Sequence, residues 1–252
     1  MSRNILFILE GSRAEPRFLR KIITLTRRND GYEFFSYNTN LHRMLSGMFV
    51  GDDIDDDLDF LEYMKSCKTN KDDAGVLDRK FSDIFLIFDM DPHDQNYDPD
   101  RVAKALSYFD DSTDNGKLYV NYPMLESFKH IPCLDDLSYL DVVVHRDNVR
   151  RYKELVGIEG SKLLSDTAKM DEQMLMRIIV LNLIKANKIL DYGTDMPDME
   201  HYHNNMSHVE IFEHQCESLD RDGVLPVLNT CVFNVIDYNP RKFFERIHMS
   251  QS

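Results

Sequence analysis

The sequence predicts an α/β fold: a parallel sheet covered by helices, followed by a mainly helical C-terminal region. Two patterns and the size of the chain lead to this reading. Up to about residue 120, short apolar runs alternate with stretches of helical spacing, as strand–helix–strand units require. Beyond residue 130 the spacing turns mainly helical. At 252 residues, 42% hydrophobic and 29% charged, the chain can bury a real core in one large domain or two modest ones.

The elements follow in order. Asn4 to Leu9 is an apolar strand closed by Glu10-Gly11. Glu15 to Arg28 carries Phe18, Leu19, Ile22, Ile23 and Leu25 at helical spacing, and Pro16 suits a first helical turn. Tyr32 to Tyr37 is a second strand, residues 41–49 and 57–67 are helical, and a polar K-T-N-K-D-D-A-G follows. Asp83 to Phe88 is the third and most apolar strand; Asp98 to Phe109 is helical, and Lys117 to Val120 is a fourth strand leading into P-M-L-E-S-F. Residues 148–156, 161–169 and 170–190 read as helices. The last is apolar around much of its circumference, and Arg177, Lys185 and Lys188 make it a core helix rather than a membrane helix. Residues 206–219 are helical, Val224 to Leu228 and Cys231 to Ile236 are candidates for strands returning to the sheet, and Pro240 opens a terminal helix. The expected division is a catalytic α/β domain over residues 1–135 and a mainly helical region over 136–252.

Composition narrows the function. The net charge of −14 argues against general, charge-driven binding of nucleic acid. No run reaches membrane length, the first residues lack a signal-peptide pattern, and the four scattered cysteines form no C-x-x-C pair. A soluble cytoplasmic protein with reduced thiols is expected. Six aspartates crowd residues 51–59, but Leu58 and Met64 stand where a calcium loop needs glycine and glutamate. Those acids read as a solvated helix start. Residues 13–28 have the opposite sign: Arg13, Arg17, Arg20, Lys21, Arg27 and Arg28 face the single acid Glu15. Such a helix can offer positive charge to a phosphate backbone, with Arg146, Arg150 and Arg151 as a second possibility.

The chemistry concentrates where strands end. Glu10 follows the first strand, and Asp89 and Asp91 follow the third. Carboxyl ends of parallel strands face the ligand crevice of open sheets, and alternation along an extended chain sends Asp89 and Asp91 to the same side. Three converging carboxylates repel one another unless a hard divalent cation compensates them. The competing reading makes these acids caps of the turns that follow. Asp94 reads as a cap in the turn Pro92-His93-Asp94. His201, His203 and His208 have the ligand type for zinc, but no cysteine lies near and no metal is expected there. G-I-E-G-S-K at 157–162 lacks the spacing of a nucleotide-binding phosphate loop.

An acid followed by glycine after strand one, L-E-G at 9–11, and D-M-D at 89–91 after strand three resemble the toprim fold of topoisomerases, bacterial primases and OLD-type nucleases. The opening I-L-F-I-L-E-G-S-R-A-E-P-R-F-L and the segment V-N-Y-P-M-L-E-S-F are closer still to small toprim proteins of phage-defence loci, the RloB-like proteins and the toprim effector of PARIS systems. The likeness covers roughly residues 1–130. It implies a toprim-like sheet and a magnesium- or manganese-dependent nuclease cutting DNA or RNA in antiviral defence. Glu10 would be general acid/base or metal ligand, Asp89 and Asp91 metal ligands, and Glu15 a ligand of a second metal. Asn121 and Glu126 match an N-x-P-x-x-E-like segment. Arg13, Arg17, Arg20 and Lys21 would touch the nucleic acid, and an ATPase partner is implied because the chain has no ATP motif. Two alternatives stay open: a non-catalytic toprim-like module recruited by a partner ATPase, and a phosphotransferase or phosphatase using the D-x-D pair.

Overall fold

Alternating apolar runs produce a five-stranded sheet in which four strands run parallel. In the computed structural model, which describes residues 4–25, 31–67 and 74–251, the strands are β1 (Asn4–Leu9), β2 (Gly31–Ser36), β5 (Asp83–Asp89), β6 (Asp110–Asp111) and β7 (Gly116–Asn121), in the order β2-β1-β5-β7-β6. Only β6 is antiparallel. Between β2 and β5 lie the hairpin β3 (Phe49–Val50) and β4 (Asp53–Ile54). A second small sheet joins β8 (Val143–His145) to β9 (Val224–Pro226). The helices are α1 (Ala14–Leu25), α2 (Leu41–Ser46), α3 (Phe60–Ser66), α4 (Pro99–Tyr108), α5 (Arg146–Val149), α6 (Tyr152–Glu159), α7 (Glu172–Ile189), α8 (Met199–Asn205), α9 (His208–Asp222), α10 (Asn234–Tyr238) and α11 (Pro240–Gln251).

Strands β1 and β5 are apolar apart from polar residues at their ends because both faces of the sheet are covered. Ile5 to Leu9 and Phe85 to Phe88 are all buried, and Phe7 packs between Phe34 and Phe85 at ring distances of 5.4 and 5.3 Å. Helix α1 packs against α7, and α4 packs against α2 and α9. Apolar side chains from both halves of the sequence, including Ile22, Phe88, Ile179 and Phe233, belong to one core. Aspartates start many of these helices: Asp59, Asp98, Asp171 and Asp198 each accept a bond from a first-turn N–H. The acid-rich stretch therefore does open a helix at Asp59, although Asp53 belongs to the hairpin.

Several boundaries differ from the sequence reading. Only Val224–Pro226 of the expected returning strands is extended, and it pairs with β8; an isolated bridge, Tyr122 to Leu228, ties this segment to the end of the main sheet. Residues 230–238 are helical instead. A short buried apolar run fits strand or helix equally, and tertiary burial decides. Within residues 161–169 only the turn Thr167–Lys169 is helical, and His201 and His203 lie in α8. Arg27 and Arg28 fall outside the described residues. No helix among the described residues is long and apolar enough to cross a membrane.

A carboxylate helps to fasten the C-terminal helices to the sheet. Asp237 accepts from Tyr119 Oη at 2.6 Å and Tyr202 Oη at 2.8 Å, and pairs with Lys117 Nζ at 3.0 Å. Burial works to raise its pKa, but Lys117, His208 and the Tyr119 hydroxyl outweigh it and hold the group below the usual carboxyl range. Its stabilisation is therefore complete above the ordinary value of 3.8 and is lost as pH falls through the lower folded value. Asp237→Asn should cost about 2–3 kcal/mol at neutral pH. Urea unfolding at several pH values should show the gap from wild type shrinking in acid; a gap that stays constant would contradict this account.

Candidate active site

The strand order creates the crevice. From β1 the chain goes to β2 on one side and later returns through β5 on the other, so the carboxyl ends of β1 and β5 flank a topological switch point, where open sheets bind ligands. The register pairs Leu9 with Ile87, which brings Glu10 beside Asp89. Glu10 Oε2 accepts the backbone N–H of Asp89 at 3.2 Å, and Asp89 Oδ1 accepts the backbone N–H of Leu125 at 2.8 Å. One end of each carboxylate is thus fixed by an amide. Glu10 Oε1 and Asp89 Oδ2 have no protein donor among the described residues.

The remaining acids gather around this pair. Glu15, in the first turn of α1, folds its carboxylate over Gly11: a Cβ built there would lie 2.7 Å from Oε2 and 2.8 Å from Oε1. The glycine thus leaves room for the second acid. Asp91 lies beyond the end of β5 with φ +43°, so strand alternation does not carry it to Asp89's side as the sequence pattern implies. The turn instead puts a side chain in a left-handed conformation that costs energy and is often found at functional sites. The turn is held in place by neighbours: Met90 N–H bonds Asn121 O and Pro123 O, His42 Nε2 lies 2.7 Å from Met90 O, and Asp94 N–H bonds Asp91 O. Asp94 accepts from Asn96 N–H at 2.7 Å and from Asn40 Nδ2 at 2.6 Å, which makes it the turn's cap.

Burial and mutual repulsion tune these groups. Burial pushes the Glu10 carboxyl up to about 8; Asp91 and Glu15 add to the rise, while the Asp89 amide and Lys153 oppose it. Asp89, only 7% exposed, is raised well above the ordinary range by burial and then by Glu10, Glu126 and Glu15, against the Leu125 amide. Glu126, on the 3-10 turn Leu125–His130, stands 3.8 Å from Lys153 Nζ on α6. Partial desolvation lowers the Lys153 pKa, but Glu126, Asp89, Glu15 and Glu10 together more than offset it and leave it raised. Lys153 is therefore the cation that faces the acids. Sequence reasoning misses it because a lone lysine on a helix carries no spacing signal.

Asn121 shares its register with Asp89. Its Oδ1 accepts Cys231 N–H at 3.2 Å, while its buried Nδ2 has no acceptor among the described residues. The other expected site residues diverge. Arg13 and Arg17 flank Glu15 in sequence, at the start of α1. Arg20 lies over the Phe34 ring at 4.9 Å, and Lys21 Nζ donates to Ala168 O at 2.9 Å; those two charges brace α1 against β2 and the segment before α7. Arg146 pairs with Asp220, and Arg151 with Glu154. His201 bonds Asn187 and Asn205, and His208 is packed against Tyr119 and Phe233.

As they stand, no three acid, histidine or cysteine side chains among the described residues are grouped to hold one metal ion. The donors present are hard oxygens, and magnesium takes one or two carboxylates while keeping several waters. Two carboxylates with one oxygen each uncommitted suit an ion held largely by water, not a closed cage.

Because Glu10 keeps its proton up to about pH 8 in the fold, against 4.5 normally, stability falls as pH rises across that window. Glu10→Gln keeps an acceptor for the Asp89 amide and removes the titration. In EDTA, urea unfolding should show the variant gaining on wild type steadily across the window, by up to about 1.4 kcal/mol for each pH step of one. A difference independent of pH would show that Glu10 is not held protonated by the fold.

No family model, curated protein or solved structure matches this chain.

Proposed function

We propose that the protein is a metal-dependent phosphodiester hydrolase of toprim type, acting on DNA or RNA as an effector of antiviral defence. The observation that carries the reading is the Glu10–Asp89 pair. Two carboxylates lie at the carboxyl ends of adjacent parallel strands, are fixed by backbone amides, and have pKa values raised by burial and by other acids. Such an arrangement disfavours the charged state it would need as a mere surface feature, and a cation together with a phosphate substrate would relieve that cost. The mostly parallel five-stranded sheet, the acid-glycine pair and the D-M-D turn support the same reading through the resemblance.

Glu10 and Asp89 would hold Mg²⁺ or Mn²⁺, with Asp91 and Glu15 close enough to tune or extend the set. The ion would supply phosphate charge neutralisation and a more acidic bound water. The resemblance gives the Glu10 carboxylate a second role, general acid/base, which it would take where it does not itself ligate the ion. Lys153 would meet a non-bridging phosphate oxygen, exchanging carboxylate partners for substrate charge. Arg13 and Arg17, on either side of Glu15 in the chain, would steer the strand towards the crevice. An ATPase partner would bring this acidic chain to its target.

Incubation with mixed nucleic acids and Mn²⁺ should give cleavage that EDTA abolishes. Asp89→Asn, which keeps an acceptor for the Leu125 amide, and Glu10→Gln should each lower the rate by about a hundredfold or more. Wild-type protein that cuts nothing, or an Asp89→Asn variant that cuts normally, would refute the proposal; a trapped aspartyl-phosphate on Asp89 would favour phosphotransfer instead.

A further inference from the structure

Next to the acids, and sharing Glu126 and Lys153 as a wall, lies a cavity of about 270 Å³ whose other charged side chains are Lys129 and Lys162. Three lysines against one glutamate among its lining residues leave an excess of positive charge in a protein of net charge −14. That carboxylate, Glu126, is already engaged by Lys153 at 3.8 Å. Lys162 has no carboxylate partner among the described residues, and the ammonium of Lys129 lies over the Phe128 ring at 5.5 Å. The larger cavity beside Pro92 differs. Its Arg146 is paired to Asp220 at 2.9 Å, and Asp147 offsets Arg150.

The backbone builds the cavity from two directions. Ser161 N–H donates to Lys129 O at 2.7 Å, so the segment after α6 is tied to the turn Leu125–His130. Gly160 makes that approach possible: a Cβ there would meet Val156 O at 2.3 Å and Lys129 O at 3.1 Å. Gly157 opens on space, with nothing within 4 Å of where a Cβ would stand. Ser165 Oγ donates to Lys162 O at 2.7 Å, whereas the Ser161 hydroxyl has no partner among the described residues. The G-I-E-G-S-K stretch thus lacks a nucleotide-loop spacing but brings lysine, hydroxyl and bare backbone to one concavity.

We propose that this cavity is a phosphate subsite, which holds a backbone phosphate of the nucleic-acid strand next to the phosphate at the carboxylates. It rests on the hydrolase reading for the identity of the ligand. Lys129 and Lys162 supply point charge, Ser161 a hydroxyl donor, and Lys153 links the two phosphates by facing both the acids and the cavity. The Glu126–Lys153 pair sets the boundary between metal and subsite.

The test is binding of a short fluorescent oligonucleotide, as DNA and as RNA, followed by anisotropy in Ca²⁺ over a salt series, with Mn²⁺ cleavage by wild type measured separately. Lys129→Gln/Lys162→Gln should weaken binding of whichever strand the wild type takes and lower the slope of log affinity against log salt by about 1 to 2. An unaltered melting temperature would show that the double variant folds. If the wild type cleaves but the double variant binds with the same affinity and slope, the subsite is refuted and the hydrolase reading stands. If the wild type binds through these lysines yet cleaves nothing, the subsite stands and the hydrolase reading falls. Wild type that binds neither strand, or that is stabilised through these lysines by inorganic phosphate alone, overturns the strand subsite.

Discussion

Everything at the crevice depends on holding two carboxyl groups side by side at the end of a parallel sheet, where ionising both is costly. Glu10 and Asp89 are neighbours because β1 and β5 are neighbours, and the strands pair because both are apolar enough to be buried on two faces. Each carboxylate receives one backbone N–H. Those two bonds partly offset desolvation without neutralising charge, which is why both groups remain raised. Asp89 therefore combines the two roles that compete in the sequence reading. It caps the turn at Leu125, and it keeps a second oxygen for a ligand.

The helical half of the chain completes this arrangement from behind. Asn229 Nδ2 donates to Leu125 O and Ser127 Oγ, Thr230 donates to Val120 O, and Tyr122 and Leu228 exchange backbone bonds. Asn182 Oδ1 on α7 receives both Asn229 N–H and Tyr139 Oη. Residues 228–231 thus fix the segment that presents the Leu125 amide to Asp89. Folding of the C-terminal region and geometry of the acids are one problem, since a shift of Asn229 would move the donor that holds Asp89.

Much of this is legible in the sequence, for physical reasons. Apolar runs mark β1, β5 and β7 well because buried parallel strands tolerate little else, and an acid at the end of such a run stands out, as Glu10 and Asp89 do. The sequence places Asp91 near the cluster but by the wrong route, because alternation holds only inside a strand and β5 stops at Asp89. Lys153 and Cys231 reach the site through tertiary packing alone. Charge counted along α1 likewise does not reveal that the Arg20 guanidinium lies on Phe34 or that the Lys21 ammonium bonds a carbonyl. Residues 231–236 read as a strand because hydrophobicity is indifferent to the element that buries it.

The central claim is that the strand-end acids are arranged for a divalent cation, so its most direct test is cation-dependent stability. Thermal unfolding of wild type and Asp89→Asn, each in EDTA and in millimolar Mg²⁺, isolates the effect because asparagine retains an acceptor for the Leu125 amide. The account predicts that Mg²⁺ raises the wild-type melting temperature, by the equivalent of about 2.7 kcal/mol when the ion is at about a hundred times its dissociation constant. The variant should be at least as stable as wild type in EDTA and gain nothing from Mg²⁺. Wild type indifferent to Mg²⁺, with a variant that melts lower in EDTA, would mean that Asp89 serves only the turn.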